Sequence, residues 1–277
     1  MTTLAHNDKN AHAGGSPLSK HYFLLRRLHS LTGIVPIGVF LFPHLFTNSS
    51  IMWARWTSPT STVPPVERGV ETFQEEVNFI HSLPFLTLIE VFGIWAPLAF
   101  HAIFGVWFAS QAKVNVQRYA YQDNWRYVWQ RITGYVAFVF IFMHVASLRW
   151  GWSFGGLFPT FDPHHAASTT AEHFQQGKAG LLVAAFYLAC VLAIVFHFAN
   201  GLWTAGITWG LTLSAGAMKR WGQVCASIGI VLALAGVMAV YGFSTLDIAA
   251  ATEIEARRPV AEGGTDAAPM PAPSEVR

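Results

Sequence analysis

Five stretches of this chain are apolar for long enough to cross a bilayer. A helix rising about 1.5 Å per residue needs roughly 20 apolar residues to span the hydrocarbon core, and residues 26–48, 85–111, 127–149, 179–211 and 222–245 reach that length. The fourth is long for one span and is expected to tilt or to protrude at one end. Residues 49–84 form a long polar connection with Pro59, Pro64, Pro65 and several glutamates, and residues 150–178 another, holding Asp162, Pro163, His164 and His165. The other two connections are short and basic. Pro36, Pro43 and Pro97 each remove a backbone donor within a span and are expected to bend their helices. The pattern predicts an all-α integral membrane bundle of five transmembrane helices over residues 21–248. Residues 1–20 and 249–277 read as disordered polar tails.

Composition agrees with a lipid solvent. Of the 277 residues 53% are hydrophobic and 12% charged, where a soluble domain carries about 25% charged residues. A net charge of +2 gives no reason to expect a nucleic-acid partner. Cys190 and Cys225 lie in apolar runs outside any C-x-x-C pattern, so thiolate clusters, structural zinc and covalent haem attachment lack ligands. The polar first twenty residues do not read as a signal peptide, and the first apolar run is expected to stay as a membrane helix.

The placement of charge says more than its sum. Lys9, Lys20, Arg26, Arg27, Lys113, Arg118, Arg126, Arg131, Lys219 and Arg220 fall on one side of the spans. The other side has Arg55, Arg68, Arg149 and Lys178, beside Glu67, Glu71, Glu75 and Glu76. Cytoplasmic loops carry the excess of Lys and Arg, so the N-terminus is expected in the cytoplasm. Five spans then leave the C-terminal tail outside, in spite of Arg257 and Arg258.

The chain also repeats itself. Phe100-His101-x-x-x-Gly105-x-Trp107 recurs as Phe196-His197-x-x-x-Gly201-x-Trp203, and Leu31-Thr32-Gly33 ahead of His44 is matched by Ile132-Thr133-Gly134 ahead of His144. Spans one and two thus resemble spans three and four, while the fifth has no counterpart and no histidine. It reads as a packing helix.

His44, His101, His144 and His197 each stand in an otherwise apolar span. Any one alone could be a hydrogen-bonded core histidine, but ionisable groups inside spans are costly and usually functional. Four on consecutive spans, two of them within a repeated motif, point to a shared ligand role. Depth sorts them. His44 lies 17 residues past Arg27, roughly 25 Å from the cytoplasmic entry, and His144 lies 15 past Trp129, so both belong to the outer half. His101 and His197, on spans running the other way, fall in the inner half. Zinc or copper would want three or four ligands at one depth. Haem iron takes two axial imidazoles, and glycines at 33, 105 and 201 leave room between helices for a flat macrocycle. Two b-type haems are expected, enclosed by four of the helices.

With these residues assembled, the chain resembles the di-haem cytochrome b membrane-anchor subunit of succinate:quinone oxidoreductase, in its single-anchor, five-helix form. The resemblance rests on Arg26-Arg27-Leu28-His29-Ser30-Leu31-x-Gly33, His44, Ser82-Leu83-Pro84, Gln130-Arg131-x-Thr133-Gly134 and Phe196-His197-Phe198-x-Asn200-Gly201-Leu202-Trp203, in order over residues 20–245. It implies a bacterial cytoplasmic membrane, with a flavoprotein and an iron–sulfur subunit docked on its inner face. It also implies electron flow from the iron–sulfur subunit through two bis-histidine haems b to a quinone, menaquinone being the common one. His101 and His197 would ligate the inner haem, His44 and His144 the outer. Some members run in reverse as fumarate reductases, and certain of these carry a glutamate two residues before the fourth ligand. Here that residue is Val195, which favours succinate oxidation.

Other residues carry two readings each. Arg27, His29, Ser30 and Arg131, at the basic ends of spans one and three, suit either a haem propionate or partner contact, or simple positive-inside anchoring. Trp53, Trp56, Trp150 and Trp152 read as an interfacial belt, and His164 and His165 as solvated loop residues. Glu90 is the one carboxylate well inside a span, eleven residues before His101. At about 100° per residue it would share the haem-facing side, roughly 16 Å nearer the outside. It could fix a neighbouring helix, or exchange protons with a quinone by the outer haem, with Glu75, Glu76 and His81 as relays. Two rival classes are a di-haem anchor for another dehydrogenase, such as formate dehydrogenase or hydrogenase, and a transporter or scaffold without haem.

Overall fold

The computed structural model describes residues 21–58, 60–111, 122–176 and 179–257. Residues 1–20 and 258–277 of the expected tails, and Pro59, Lys113, Arg118 and Lys178, lie outside the described residues. Five helices are long and apolar enough to cross a membrane: Tyr22–Trp53, Leu86–Gln111, Asn124–Leu148, Leu181–Thr208 and Ala215–Ser244. The first is two helices in line, α1 (Tyr22–Ile34) and α2 (Pro36–Trp53). They meet at Val35 because Pro36 has no N–H to continue the ladder, although Val35 N still reaches Leu31 O at 2.9 Å. The second span, α4 (Leu86–Gln111), contains a π-helical stretch over Ile89–Trp95, just ahead of Pro97. The third lies within α5 (Gln122–Leu148), the fourth is α7 (Leu181–Thr208), and the fifth is α8 (Ala215–Ser244).

The fourth span stops earlier than the hydrophobic run suggested. Gly210 takes a left-handed φ of +76°. Leu211 N then turns back to Gly206 O at 2.9 Å and Gly210 N to Ile207 O at 3.1 Å, a glycine stop in which the last carbonyls are satisfied. The fifth helix packs on α2 and α7. A Cβ on Gly236 would lie 2.5 Å from Val191, and one on Gly242 would lie 2.6 Å from Ile51 and from Met52. Those glycines set how near α8 can come.

Neither long polar connection is irregular throughout. The first folds into α3 (Pro65–His81) and the second, after one 3₁₀ turn at Pro163–His165, into α6 (Ala166–Gln175). Val66, Val70, Phe73 and Val77 fall on one face of α3 by their three- and four-residue spacing, and Val70 and Phe73 are buried. The expected tail from residue 249 is corrected in its first part: Ile248–Ala256 form a helix, α9, whose first turn is capped by Asp247 accepting from Ala250 N at 3.1 Å. Its Ala251 and Ile254 are buried. An alanine-rich composition read as a tail hid an N-cap and a buried stripe.

Together α3, α6 and α9 pack into a cap over one end of the bundle. Val70, Ala166, Ala167, Ala171 and Ala251, all in the cap, are fully enclosed. A cap facing water must hide its apolar groups within itself, whereas lipid can cover the outer faces of the spans. Buried polar pins hold it. Glu255 accepts from Ala167 N at 2.7 Å, Ser168 N at 3.3 Å and the Ser168 hydroxyl at 2.5 Å, placing a carboxylate on the N-terminus of α6, where the helix dipole favours it. Gln74 accepts from Ala166 N at 2.9 Å and donates to Pro163 O at 2.8 Å.

Glu255→Ala strands three donors at the start of α6. A local loss on the order of 2–3 kcal/mol is expected. It should appear as faster amide exchange over residues 166–175 and 248–256 in the detergent-solubilised protein, with the spans still protected. Unchanged exchange in those two helices would contradict the pinning role.

Candidate functional site

The inner histidines sit in a reciprocal arrangement that the repeat builds twice. His101 donates its Nδ1–H to His29 O at 2.8 Å, and His197 donates its Nδ1–H to Gln130 O at 2.9 Å. A carbonyl can only accept, so in both rings the proton belongs on Nδ1 and the lone pair on Nε2. The bond is returned in each half: His29 Nδ1–H donates to His101 O at 2.9 Å, and Gln130 Nε2–H to His197 O at 3.1 Å. His29 and Gln130 each stand four residues before a glycine, Gly33 and Gly134. A Cβ on Gly33 would lie 2.4 Å from His101 Cε1, and one on Gly134 would lie 2.9 Å from His197 Cε1. Sequence reasoning paired the Thr-Gly motifs but missed that His29 and Gln130 occupy one structural position. The signal was available, three residues upstream of each Thr.

The two inner rings lie 6.2 Å apart between centres with planes at 87°. His29 stacks on His101 at 4.0 Å and 13°. Behind His197, the buried Asn200 donates to Gln130 Oε1 at 2.7 Å and accepts from Arg126 Nε at 2.8 Å. The Arg126 guanidinium lies 3.6 Å over the ring of Trp203, which gives the repeated Trp a cation to carry.

The outer histidines are built differently. The rings of His44 and His144 lie 5.7 Å apart with planes at 85°. Each stacks on a phenylalanine four residues earlier, His44 on Phe40 at 5.2 Å and His144 on Phe140 at 5.6 Å. Tyr187 of α7 packs against His144 at 5.9 Å. His144 Nδ1 is buried without a hydrogen-bond partner.

Both pairs fit one task. With metal–imidazole bonds of about 2 Å, two imidazoles across one metal have ring centres on the order of 6 Å apart. Each pair offers two nitrogen ligands, and among the described residues no group of three or more His, Cys, Asp or Glu gathers to hold an ion. A metal that brings its own equatorial ligands, as haem iron does, suits such pairs. The inner Nε2 lone pairs and the glycine-lined ring seats suit it as well.

The remaining predicted residues scatter. Glu90 forms an ion pair with Arg149 at 3.3 Å, joining the start of the second span to the end of the third. The expectation that it shares the face of His101 assumed α-helical rotation. Glu90 itself stands within the π-helical stretch Ile89–Trp95, whose wider turn changes the phase. Trp95 stacks on Trp150 at 6.0 Å, and Trp150 lies next to Arg149 in sequence. Arg27 lines a recess of about 270 Å³ with Phe23, Arg26 and Thr208, and Ser30 is half-buried beside His29 in sequence. Arg131 is engaged within the chain, donating to Ala109 O at 3.1 Å and lying 4.5 Å over Tyr127. Glu76 is half-buried against Thr47 and Ser50, and burial pushes its carboxyl above the usual range. His81 is exposed and bonds Val77 O at 2.9 Å. His173, on α6, is 1% exposed and was not anticipated.

No protein-family model matches the chain. It is 34% identical over 225 residues to the succinate dehydrogenase cytochrome b558 subunit of Bacillus subtilis (strain 168), a match spanning 80% of this chain and 96% of that protein.

Because Gln130 does in one half-repeat what His29 does in the other, His29→Gln should leave the haem spectrum near wild type. Gly33→Ala should push His101 off its seat at a cost of about 1–3 kcal/mol and weaken or displace the inner haem signal. Reduced-minus-oxidised absorbance of the purified protein checks both. A Gly33→Ala spectrum identical to wild type would refute the seat.

Proposed function

The chain belongs to the family of the succinate dehydrogenase cytochrome b558 subunit, and from that footing we propose how its histidines serve that complex. It is the membrane-anchor cytochrome b subunit of succinate dehydrogenase, it carries haem b, and the other subunits of that enzyme are its partners. The family removes the rival readings of a formate dehydrogenase or hydrogenase anchor and of a haem-free transporter.

Within that frame, His101 and His197 would hold one haem nearer the cytoplasm, and His44 and His144 would hold a second nearer the outer face. Haem would supply one-electron transfer when bound. The chain's own residues do the rest. His29 O and Gln130 O hold the inner imidazoles in the tautomer that presents Nε2, and a hydrogen bond on the far ring nitrogen fixes an imidazole ligand's orientation and raises its basicity. Arg26 and Arg27 form a basic face for the flavoprotein and iron–sulfur subunits, on the side where the positive-inside rule puts the cytoplasm of a bacterial cell. Electrons then cross from the iron–sulfur subunit to a quinone, menaquinone by resemblance, near the outer end. The buried Val195 takes the place of the glutamate found in certain fumarate reductases, which supports succinate oxidation as the direction. The reciprocal bonding of His101 and His197 is the observation that carries this reading.

Glu90 serves the quinone. Its ion pair keeps a carboxylate at the outer end of the bundle next to Arg149, whose side chain is 57% exposed and links it to water. Proton exchange between such a carboxylate and the quinone oxygens is ordinary general acid–base chemistry. Glu90→Gln keeps the shape and removes the exchangeable proton. In the purified complex, succinate should still reduce both haems of this variant, while quinone turnover should fall about 10²-fold or more. Wild-type quinone reduction would leave Glu90 as a helix clamp for Arg149 only. Haems that succinate cannot reduce in the wild-type complex would refute the electron path itself.

A further inference from the structure

The cap places one histidine where no hydrogen-bond partner stands among the described residues. His173 is 1% exposed, it stacks on Phe158 at 5.0 Å and 11°, and neither of its ring nitrogens has a hydrogen-bond partner. Phe158 also touches Tyr187 at 6.5 Å. The Tyr187 hydroxyl is likewise buried, with the Ser147 hydroxyl beside it, and the Tyr187 ring packs on His144. A buried polar group left unbonded costs about 1–3 kcal/mol. Nearby, Glu255, Gln74 and Gln175 each hold at least two bonds. Orphaned polar atoms gathered on the cap side of His144 therefore call for a group from outside the chain.

The chemistry of the orphans indicates which group. Burial pushes the His173 pKa down to about 4, so the ring is neutral at physiological pH and has one N–H to give. Tyr187 has an O–H to give. Donors without an acceptor suit a carboxylate, which accepts only. A haem is an apolar disc with two propionate carboxylates, and charge is expensive in hydrocarbon. The polar layer nearest the outer histidine pair is the underside of this cap.

We propose that His173 donates a hydrogen bond to a propionate of the outer haem, with Tyr187 beside it, so that the cap closes that haem's polar edge. This rests on the reading of His44 and His144 as that haem's ligands. His173→Phe keeps the stack on Phe158 and removes both nitrogens, and His173→Gln keeps a donor. The test uses the purified complex carrying haem ¹³C-labelled at the propionate carboxyls, followed by redox-difference infrared spectroscopy and potentiometric titration. In His173→Phe the labelled carboxylate band of the outer haem should shift and its midpoint potential should move, with the inner haem unchanged. His173→Gln should stay close to wild type in both. An unshifted band and potential in His173→Phe, with two haems bound, would overturn the assignment and leave His173 a packing residue. If His173→Phe loses the outer haem, its retention in His173→Gln upholds the donor role and its loss there overturns it. A wild type holding one haem per chain would refute the His44–His144 reading itself, and the role of His173 with it.

Discussion

A neutral imidazole carries one N–H and one lone pair, and inside a bilayer no water is on hand to satisfy either. The bundle settles the inner histidines by giving each N–H a backbone carbonyl from the facing helix. His101 is bound to His29 O and His197 to Gln130 O. Both carbonyls also take a bond from a threonine hydroxyl of their own helix, Thr32 at 3.0 Å and Thr133 at 3.3 Å. The rest of the site follows from that single choice of tautomer. The rings must approach the facing helices closely, so those helices carry glycine at 33 and 134. The returning bonds from His29 and Gln130 then lock helix pairs α1–α4 and α5–α7 in register, and Nε2 is left as the ligand in each.

The molecule solves two solvent problems with two kinds of core. In the spans, apolar side chains can face lipid, and close packing is spent where α8 meets α2 and α7 through Gly236 and Gly242. In the cap, α3, α6 and α9 must bury their apolar faces in one another, and Glu255, Gln74 and Gln175 tie them with buried bonds. The cap lies over the outer pair and the basic helix ends lie beyond the inner pair. The two sites therefore sit in different surroundings, one under a folded protein roof and the other beside Arg26 and Arg27.

Much of this was legible in the sequence because the bilayer imposes a strong rule. Five apolar runs had to be helices, and four histidines within them had to face one another at matching depths. What escaped had weaker signals. Val66, Val70, Phe73 and Val77 carry a helical period, but glutamates and prolines around them read as loop. Asp247 caps a helix whose alanines read as tail. Gly210 ends the fourth span through a left-handed turn that hydropathy does not register. Counting 100° per residue from Glu90 to His101 runs through the π-helical stretch that contains Glu90, where that count does not hold. His29 and Gln130 share no chemistry except a side-chain N–H, so their equivalence emerges only when both bonds are seen. His173 sits in a polar connection where a histidine gives no hint of burial.

The central claim is that four histidines act as two pairs, one iron to each pair. Electron paramagnetic resonance of the oxidised wild type and of the four single His→Ala variants, at quantified haem content, tests it most directly. The wild type should show two low-spin ferric signals and two haems per chain. His101→Ala and His197→Ala should abolish one signal, and His44→Ala and His144→Ala the other. A single haem per chain, or one signal lost alike in His44→Ala and His101→Ala, would contradict it.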